Sequence, residues 1–356
     1  MTKPTLTLVA FSVSGMLAAV LVAVLHIAPS QAASFDGVDD IREQLHACGN
    51  GVMTAQVLGS DEYQGCLYAL MTHAADTGQL AELQDALSAE LEQTPALANH
   101  CHDTGHRAGE YAFKLNPDIY TQLMDNSRVT CAYAIGHGLL DGFARSDPDR
   151  ADFAAAATAC NEWEDDRDSH VGGFCADGLG HAAWDVTNDL DAAVERCALL
   201  EHGHNQKACG EGIIMQIYQP AGFLAENELK GDLDTLPELC SSWPTPAGSE
   251  EVKVGCFTGA GYIYTRAAWT LAVAWSRDTD RAPLDSGIAR QLRDALADAA
   301  DRCGRHAQDE GELPCLRSVA WQIPEQVYDH PDLLSEVCAL LGEHETTCRE
   351  HVHVAA

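Results

Sequence analysis

The stretch that decides the fold is "DLDAAVERC", Asp189–Cys197, followed after a polar loop by "CGEGIIMQIY", Cys209–Tyr218. In the first run the apolar residues recur at the spacing of one helical face. The second run is rich in small residues and opens on a cysteine. The pair reads as helix, loop and helix, with a disulfide stapling the two helices across the loop. The same phrase recurs, for example in "DALADAADRC", Asp294–Cys303, ahead of Cys315.

Pairing each of the fourteen cysteines with its neighbour extends this reading along the chain. The expected staples are Cys48 with Cys66, Cys160 with Cys175, Cys197 with Cys209, Cys240 with Cys256, Cys303 with Cys315, and Cys338 with Cys348. Cys101 and Cys131 remain and pair with each other. Closing loops of this size stabilises a fold by about 3 kcal/mol each in the chain-entropy model. Alternating Val/Ile/Thr runs are scarce, so strands are not expected. "NPD" from Asn116 and "DPD" from Asp147 read as helix starts. The fold class is therefore all-α, an irregular array of disulfide-stapled helical hairpins of the α-solenoid or α/α toroid-like kind. The disulfide per hairpin is similar to the secreted, cysteine-rich Sel1-like repeat proteins. The regular period and consensus of that family are missing, so the likeness is one of architecture.

Composition sets the compartment and excludes some partners. From Thr5 to Ala28 no acid or base occurs except His26, with Lys3 in front and "PSQAAS" behind. Residues 1–33 read as a signal peptide or an N-terminal membrane anchor, the chain's one membrane contact. The rest is expected to be extracytoplasmic, secreted, periplasmic or held at the outer face of the cytoplasmic membrane, in keeping with an even cysteine count and no C-x-x-C. A formal charge of −33 argues against nucleic acid as a partner. Beyond the leader, the chain divides into N-terminal hairpins (34–98), a histidine- and acid-bearing core (99–225) and C-terminal hairpins (226–356).

The core carries a stripe. Glycines recur three or five residues after the cysteine that opens a Gly/Ala-rich helix: Gly178, Gly212 and Gly259, then Gly136, Gly180 and Gly261. Glycine costs about 1 kcal/mol in a helix, so its recurrence implies that another backbone or a ligand comes close. Three units share the phrase Gly-His-x-x-x-acid: "GHRAGE", "GHGLLD" and "GHAAWD". Residues four apart share a helical face. The faces read His102, His106, Glu110; then Tyr133, His137, Asp141; then Asp177, His181, Asp185; then Glu211, Met215, Gln219. Later they become Thr258, Tyr262, Arg266 and Arg317, Trp321, Glu325, keeping the frame and losing the histidines.

If these faces meet, imidazoles and carboxylates converge. That set suits a divalent transition metal, Zn, Fe, Mn or Cu, better than Mg or Ca. The candidate ligands are His102, His106, Glu110, His137, Asp141, Asp177, His181, Asp185 and Glu211. The acid four residues after a histidine is also placed to orient its ring. Deoxyhypusine hydroxylase, another helical-repeat protein, takes His and Glu ligands from successive repeats. The stripe is similar in design and different in motif. "HDTGH", His102–His106, resembles the zincin signature H-E-x-x-H, with Asp103 where a longer Glu would act as base.

The leading expectation is a metal-binding protein, as a metalloenzyme activating water or dioxygen or as a store or sensor. A non-enzymatic secreted scaffold, with structural histidines and a protein partner on the solenoid surface, is its rival. A polysaccharide hydrolase or lyase with paired carboxylates beside Tyr133 and tryptophans is a third.

Overall fold

The computed structural model describes residues 34–94, 97–128, 130–131, 133–146, 152–166, 169–218, 232–277 and 287–321, with 338, 339, 345, 346 and 349 near the C-terminus. The N-terminal run of residues 1–33 lies outside them. So do "DPD" at 147–149 and the domain boundary expected at 225. No helix among the described residues is long and apolar enough to cross a membrane.

The described residues hold helices and no strand. In chain order the helices are α1 (Val38–Cys48), α2 (Ala55–Leu58), α3 (Asp61–Thr77), α4 (Leu80–Leu91), α5 (Ala98–Leu115), α6 (Ile119–Asp125), α7 (Ala134–Ser146) and α8 (Phe153–Asp166). They continue with α9 (Ser169–Thr187), α10 (Leu190–Cys197), α11 (Gly203–Tyr218), α12 (Leu236–Ser241), α13 (Glu250–Arg277), α14 (Gly287–Gly304) and α15 (Glu312–Trp321).

Local chemistry fixes several ends. Ser60 caps α3 by accepting from the Tyr63 amide, and Gly78 closes it at a left-handed φ of 71°. Asp189 caps α10 through the Ala192 amide. Asp118, from the "NPD" stretch, caps α6 through the Thr121 amide, so Pro117 stands just ahead of the helix and not in its first turn.

Packing follows the chain. α3 lies on α5, α5 on α7, α7 on α9, α9 on α11, α11 on α13 and α13 on α15. A second layer covers this row: α6 touches α7 and α8, α8 and α10 pack on α9, and α14 on α13 and α15. Six disulfides join the neighbouring cysteines Cys48–Cys66, Cys101–Cys131, Cys160–Cys175, Cys197–Cys209, Cys240–Cys256 and Cys303–Cys315. Cys338 is also disulfide-bonded, and Cys348 lies outside the described residues. The sequence separations run from 12 to 30 residues, so the units are not copies of one another. This density of staples belongs to an oxidising, extracytoplasmic environment.

Cys101–Cys131 differs from the rest. Four staples join a second-layer helix to the next helix of the row, as Cys160 on α8 does with Cys175 on α9. Cys101–Cys131 skips α6 and ties α5 directly to the turn before α7.

Within the row the glycines bring backbones together. A methyl group at Gly138 of α7 would overlap the His106 carbonyl of α5, and one at Gly109 of α5 would overlap the Ile135 carbonyl of α7. Gly180 and Gly212 relate α9 and α11 in the same reciprocal way, and Gly210 and Gly255 relate α11 and α13. Between α7 and α9 the pattern breaks. There Gly178 faces the His137 ring and Leu140, not a backbone. α7 and α9 are thus held apart by a layer of side chains, and the histidine stripe occupies it.

Candidate metal centre

His102 and His106 stand one turn apart on α5, and their Nε2 atoms face each other at 3.2 Å. The close α5–α7 contact sets His137 and Asp141 of α7 beside them. Ring centroids lie 4.8 Å apart for His102 and His106, 5.3 Å for His106 and His137, and 6.1 Å for His102 and His137. One ring nitrogen from each of the three lies within 4.8 Å of the others, a group able to hold a metal ion. His137 continues the series to His181 of α9, with centroids 5.9 Å apart. The His106 side chain is 25% exposed and marks the open side of the cluster.

Each ring is oriented by a partner that fixes its proton. His102 Nδ1 lies 2.9 Å from the Cys131 carbonyl, which only accepts, so Nδ1 carries hydrogen. His106 Nδ1 donates to Asp141 Oδ2 at 2.9 Å. His137 Nε2 donates to the Phe174 carbonyl of α9 at 2.9 Å, leaving Nδ1 as its lone-pair nitrogen. Such outer partners set tautomer and basicity in metal-binding histidines. The Cys131 carbonyl is held by unusual backbone: Cys131 and Tyr133 both have left-handed φ, 54° and 59°, which non-glycine residues rarely adopt. Tyr133 therefore precedes α7 instead of sharing its helical face, and its ring packs on His137 and Trp163.

Burial keeps two of the three rings, His102 and His137, neutral. Burial, with the charges of His106, His137 and His181, holds His102 well below the usual histidine range, against the pull of the Cys131 hydrogen bond. Burial likewise lowers His137 to about 4, although Asp177 opposes it. Burial would raise Asp141, yet the hydrogen bond and charge of His106, with the charge of Arg145, bring it down to about 2. His181 goes the other way. Burial lowers it, but the hydrogen bond and charge of Asp177, with Gln216 and Asp141, lift it to about 9. Glu211 on α11 is pushed up to about 8 by burial and by the charge of Asp177.

The other sequence candidates divide into two groups. Asp177 Oδ2 lies 3.7 Å from His137 Nε2 and 3.5 Å from His181 Nε2, between the two rings. Glu110 and Asp185 are instead drawn to Arg145, at 2.5 Å and 3.4 Å, on the exposed rim. The Arg145 guanidinium satisfies both carboxylates, so neither needs to face an ion. Burial raises Asp103, the acid of the zincin-like phrase, against the charges of His106 and of Arg266 on α13.

Sequence reasoning missed Arg145 and Gln216, and the carbonyls of Cys131 and Phe174. Arg145 follows Asp141 by four residues, a helical-face spacing that offered a signal. Gln216 sits one residue past the stripe, and main-chain acceptors leave no mark in a sequence. The chain matches no known protein-family model, and no curated protein or solved structure is significantly similar to it.

Proposed function

We propose that this is an extracytoplasmic metal-binding protein whose imidazole trio, His102, His106 and His137, takes one divalent transition ion. The observation that carries the reading is the 3.2 Å contact between two Nε2 atoms whose partner nitrogens both donate to oxygen. With both rings in these tautomers and neutral, the two Nε2 atoms aim at one position, and a cation fits there. The separation is close to the edge of about 3.3 Å that a tetrahedral ion with metal–nitrogen bonds of about 2.0–2.1 Å requires. Neutral imidazoles suit Zn, Fe, Mn or Cu.

Three histidines leave a tetrahedral shell with room for a further ligand, and the part-exposed edge of His106 gives water or a substrate a way in. A metal in such a site supplies Lewis acidity toward bound water or a carbonyl. The protein's own residues orient the rings: Asp141 fixes His106, the Cys131 carbonyl fixes His102, and the Phe174 carbonyl fixes His137. The proposed setting is that of an exported chain released or anchored by residues 1–33.

The test is elemental analysis of the full chain made in an oxidising host. Stoichiometric metal, lost in His106→Ala and His137→Ala while the fold is kept, supports the proposal. Folded wild-type protein that contains no metal and refuses added Zn, Fe, Mn and Cu overturns it. That result would leave the secreted scaffold, with its protein partner, as the better reading.

A further inference from the structure

We propose that Arg145, Glu110 and Asp185 form a strap across the mouth of the metal centre. It sets how fast an ion enters and leaves, and not how tightly the ion is held. This rests on the metal-binding reading above and adds a regulation of that same site.

His106 and Glu110 stand one turn apart on α5, as Asp141 and Arg145 do on α7 and His181 and Asp185 on α9. His106 meets Asp141, and Glu110 meets Arg145, so neighbouring helices run in step. The row therefore presents two levels, about 6 Å apart at a rise of about 1.5 Å per residue. The inner level leads to the imidazole trio through His106. The outer level is a line of polar contacts across four helices. Arg145 Nη1 donates to Glu110 at 2.5 Å and Nη2 to Asp185 at 3.4 Å. The Gln216 amide of α11 donates to the other oxygen of Asp185 at 2.6 Å.

The trio opens to solvent on the His106 side, where the side chain is 25% exposed against 6% for His137. Glu110 lies one turn beyond His106 on the same helical face, and Arg145 reaches over to it. An ion arriving at this edge meets a guanidinium ahead of the imidazole, and like charges repel. The guanidinium is half-exposed and its ion pairs are weak, so it lets go often. Each release uncovers two carboxylates, which a cation can occupy in place of the guanidinium on its way to His106. The strap makes no bond to an ion seated on the trio. Removing it lowers the barrier to entry and exit alike, and affinity, the ratio of the two rates, is kept.

The experiment uses the full chain stripped of metal. Zinc uptake is followed by stopped flow, and zinc release by transfer to excess chelator. Arg145→Met should speed both about three- to tenfold and leave their ratio within about twofold. A lysine is a point charge without the planar fork that spans two carboxylates, so Arg145→Lys should also speed release. Arg128→Met removes the same charge from another exposed pair, Arg128 with Asp85, and should leave both rates as they are. Near-ultraviolet circular dichroism controls for folding in each variant. Unchanged rates in folded Arg145→Met, or wild-type rates in Arg145→Lys, would overturn the strap and leave the metal site standing. Slower release with tighter binding in Arg145→Met would make Glu110 and Asp185 ligands and overturn it as well. Folded wild type that takes no zinc would remove the metal-binding reading, and this one with it.

Discussion

Between α5 and α7, Gly109 and Gly138 each sit against a carbonyl of the opposite helix; between α11 and α13, Gly210 and Gly255 do the same. The backbones meet alike, but one interface carries His102, His106, His137 and Asp141 while the other leads to Tyr262 and Arg266. The glycines are therefore packing residues, common to the row and silent about chemistry. What separates the two regions is the side chain placed after the glycine and the acceptors around it. It is also the staple. α5 is bonded straight to the turn before α7, whereas α11 and α13 are each tied to a second-layer helix, through Cys197–Cys209 and Cys240–Cys256. That direct bond holds the Cys131 carbonyl over His102.

The comparison breaks most sharply at the disulfides. Removing Cys101–Cys131 by double alanine substitution should lower stability by about 3–4 kcal/mol, and removing Cys303–Cys315 by about 3 kcal/mol. Zinc titration tells them apart. The first change releases the acceptor that orients His102 and should weaken binding about 10- to 100-fold. The second should leave affinity within about twofold, because α14 and α15 carry none of the trio. Equal loss of zinc in both would mean that the staple next to His102 has no special part.

The next effect in size lies in the glycines. Gly138→Ala and Gly255→Ala each force a methyl group into a carbonyl of the facing helix and should cost about 1–3 kcal/mol in thermal melts. Only Gly138→Ala moves α5 from α7, so only it should weaken zinc. A matching loss in Gly255→Ala would show that the whole row, and not one interface, sets the site.

Much of this was legible in the sequence, for a physical reason. A staple and a helical period are local patterns, so Cys197 and Cys209, or His102 and His106, declare their relation within a few turns of chain. The repeated phrase marks His106 and His137, and helical spacing adds His102, as residues that converge if their faces meet. What escaped depends on tertiary geometry. Nothing local marks that Cys131 and Tyr133 adopt left-handed backbone, which takes Tyr133 out of the helix. Nothing marks that a carbonyl at Phe174 orients His137. Glu110 and Asp185 have the right spacing for ligands, and only the reach of Arg145 between three helices shows that their charge is already answered.

A smaller effect concerns pH and the neutral rings. His137 titrates near 4 in the folded chain, against 6.5 for an ordinary histidine. Between those values the unfolded chain binds a proton that the folded chain refuses, so stability falls as pH drops from 6.5 toward 4. Replacing His137 by Phe should flatten that part of the metal-free stability profile, measured by urea unfolding at steps of pH. The corresponding change at Tyr262, Tyr262→Phe, should leave the slope as it is, since a tyrosine raised further by burial does not titrate there. An unchanged slope in His137→Phe would mean that this ring is not kept neutral by its setting.

The smallest effect is expected at the rim. Arg145 joins Glu110 of α5 and Asp185 of α9 across α7, yet its side chain is 52% exposed. Exposed ion pairs contribute about 0–1 kcal/mol, because water screens them and two long side chains lose freedom. Arg145→Met should therefore change the melting temperature little and leave the zinc affinity within about twofold. The two freed carboxylates make the test informative. If they were ligands held in reserve, removing Arg145 would let them swing toward the imidazoles and tighten zinc. Unaltered binding would assign them to the rim and keep the ion with groups on α5 and α7, where glycine contact, staple and fixed acceptors coincide.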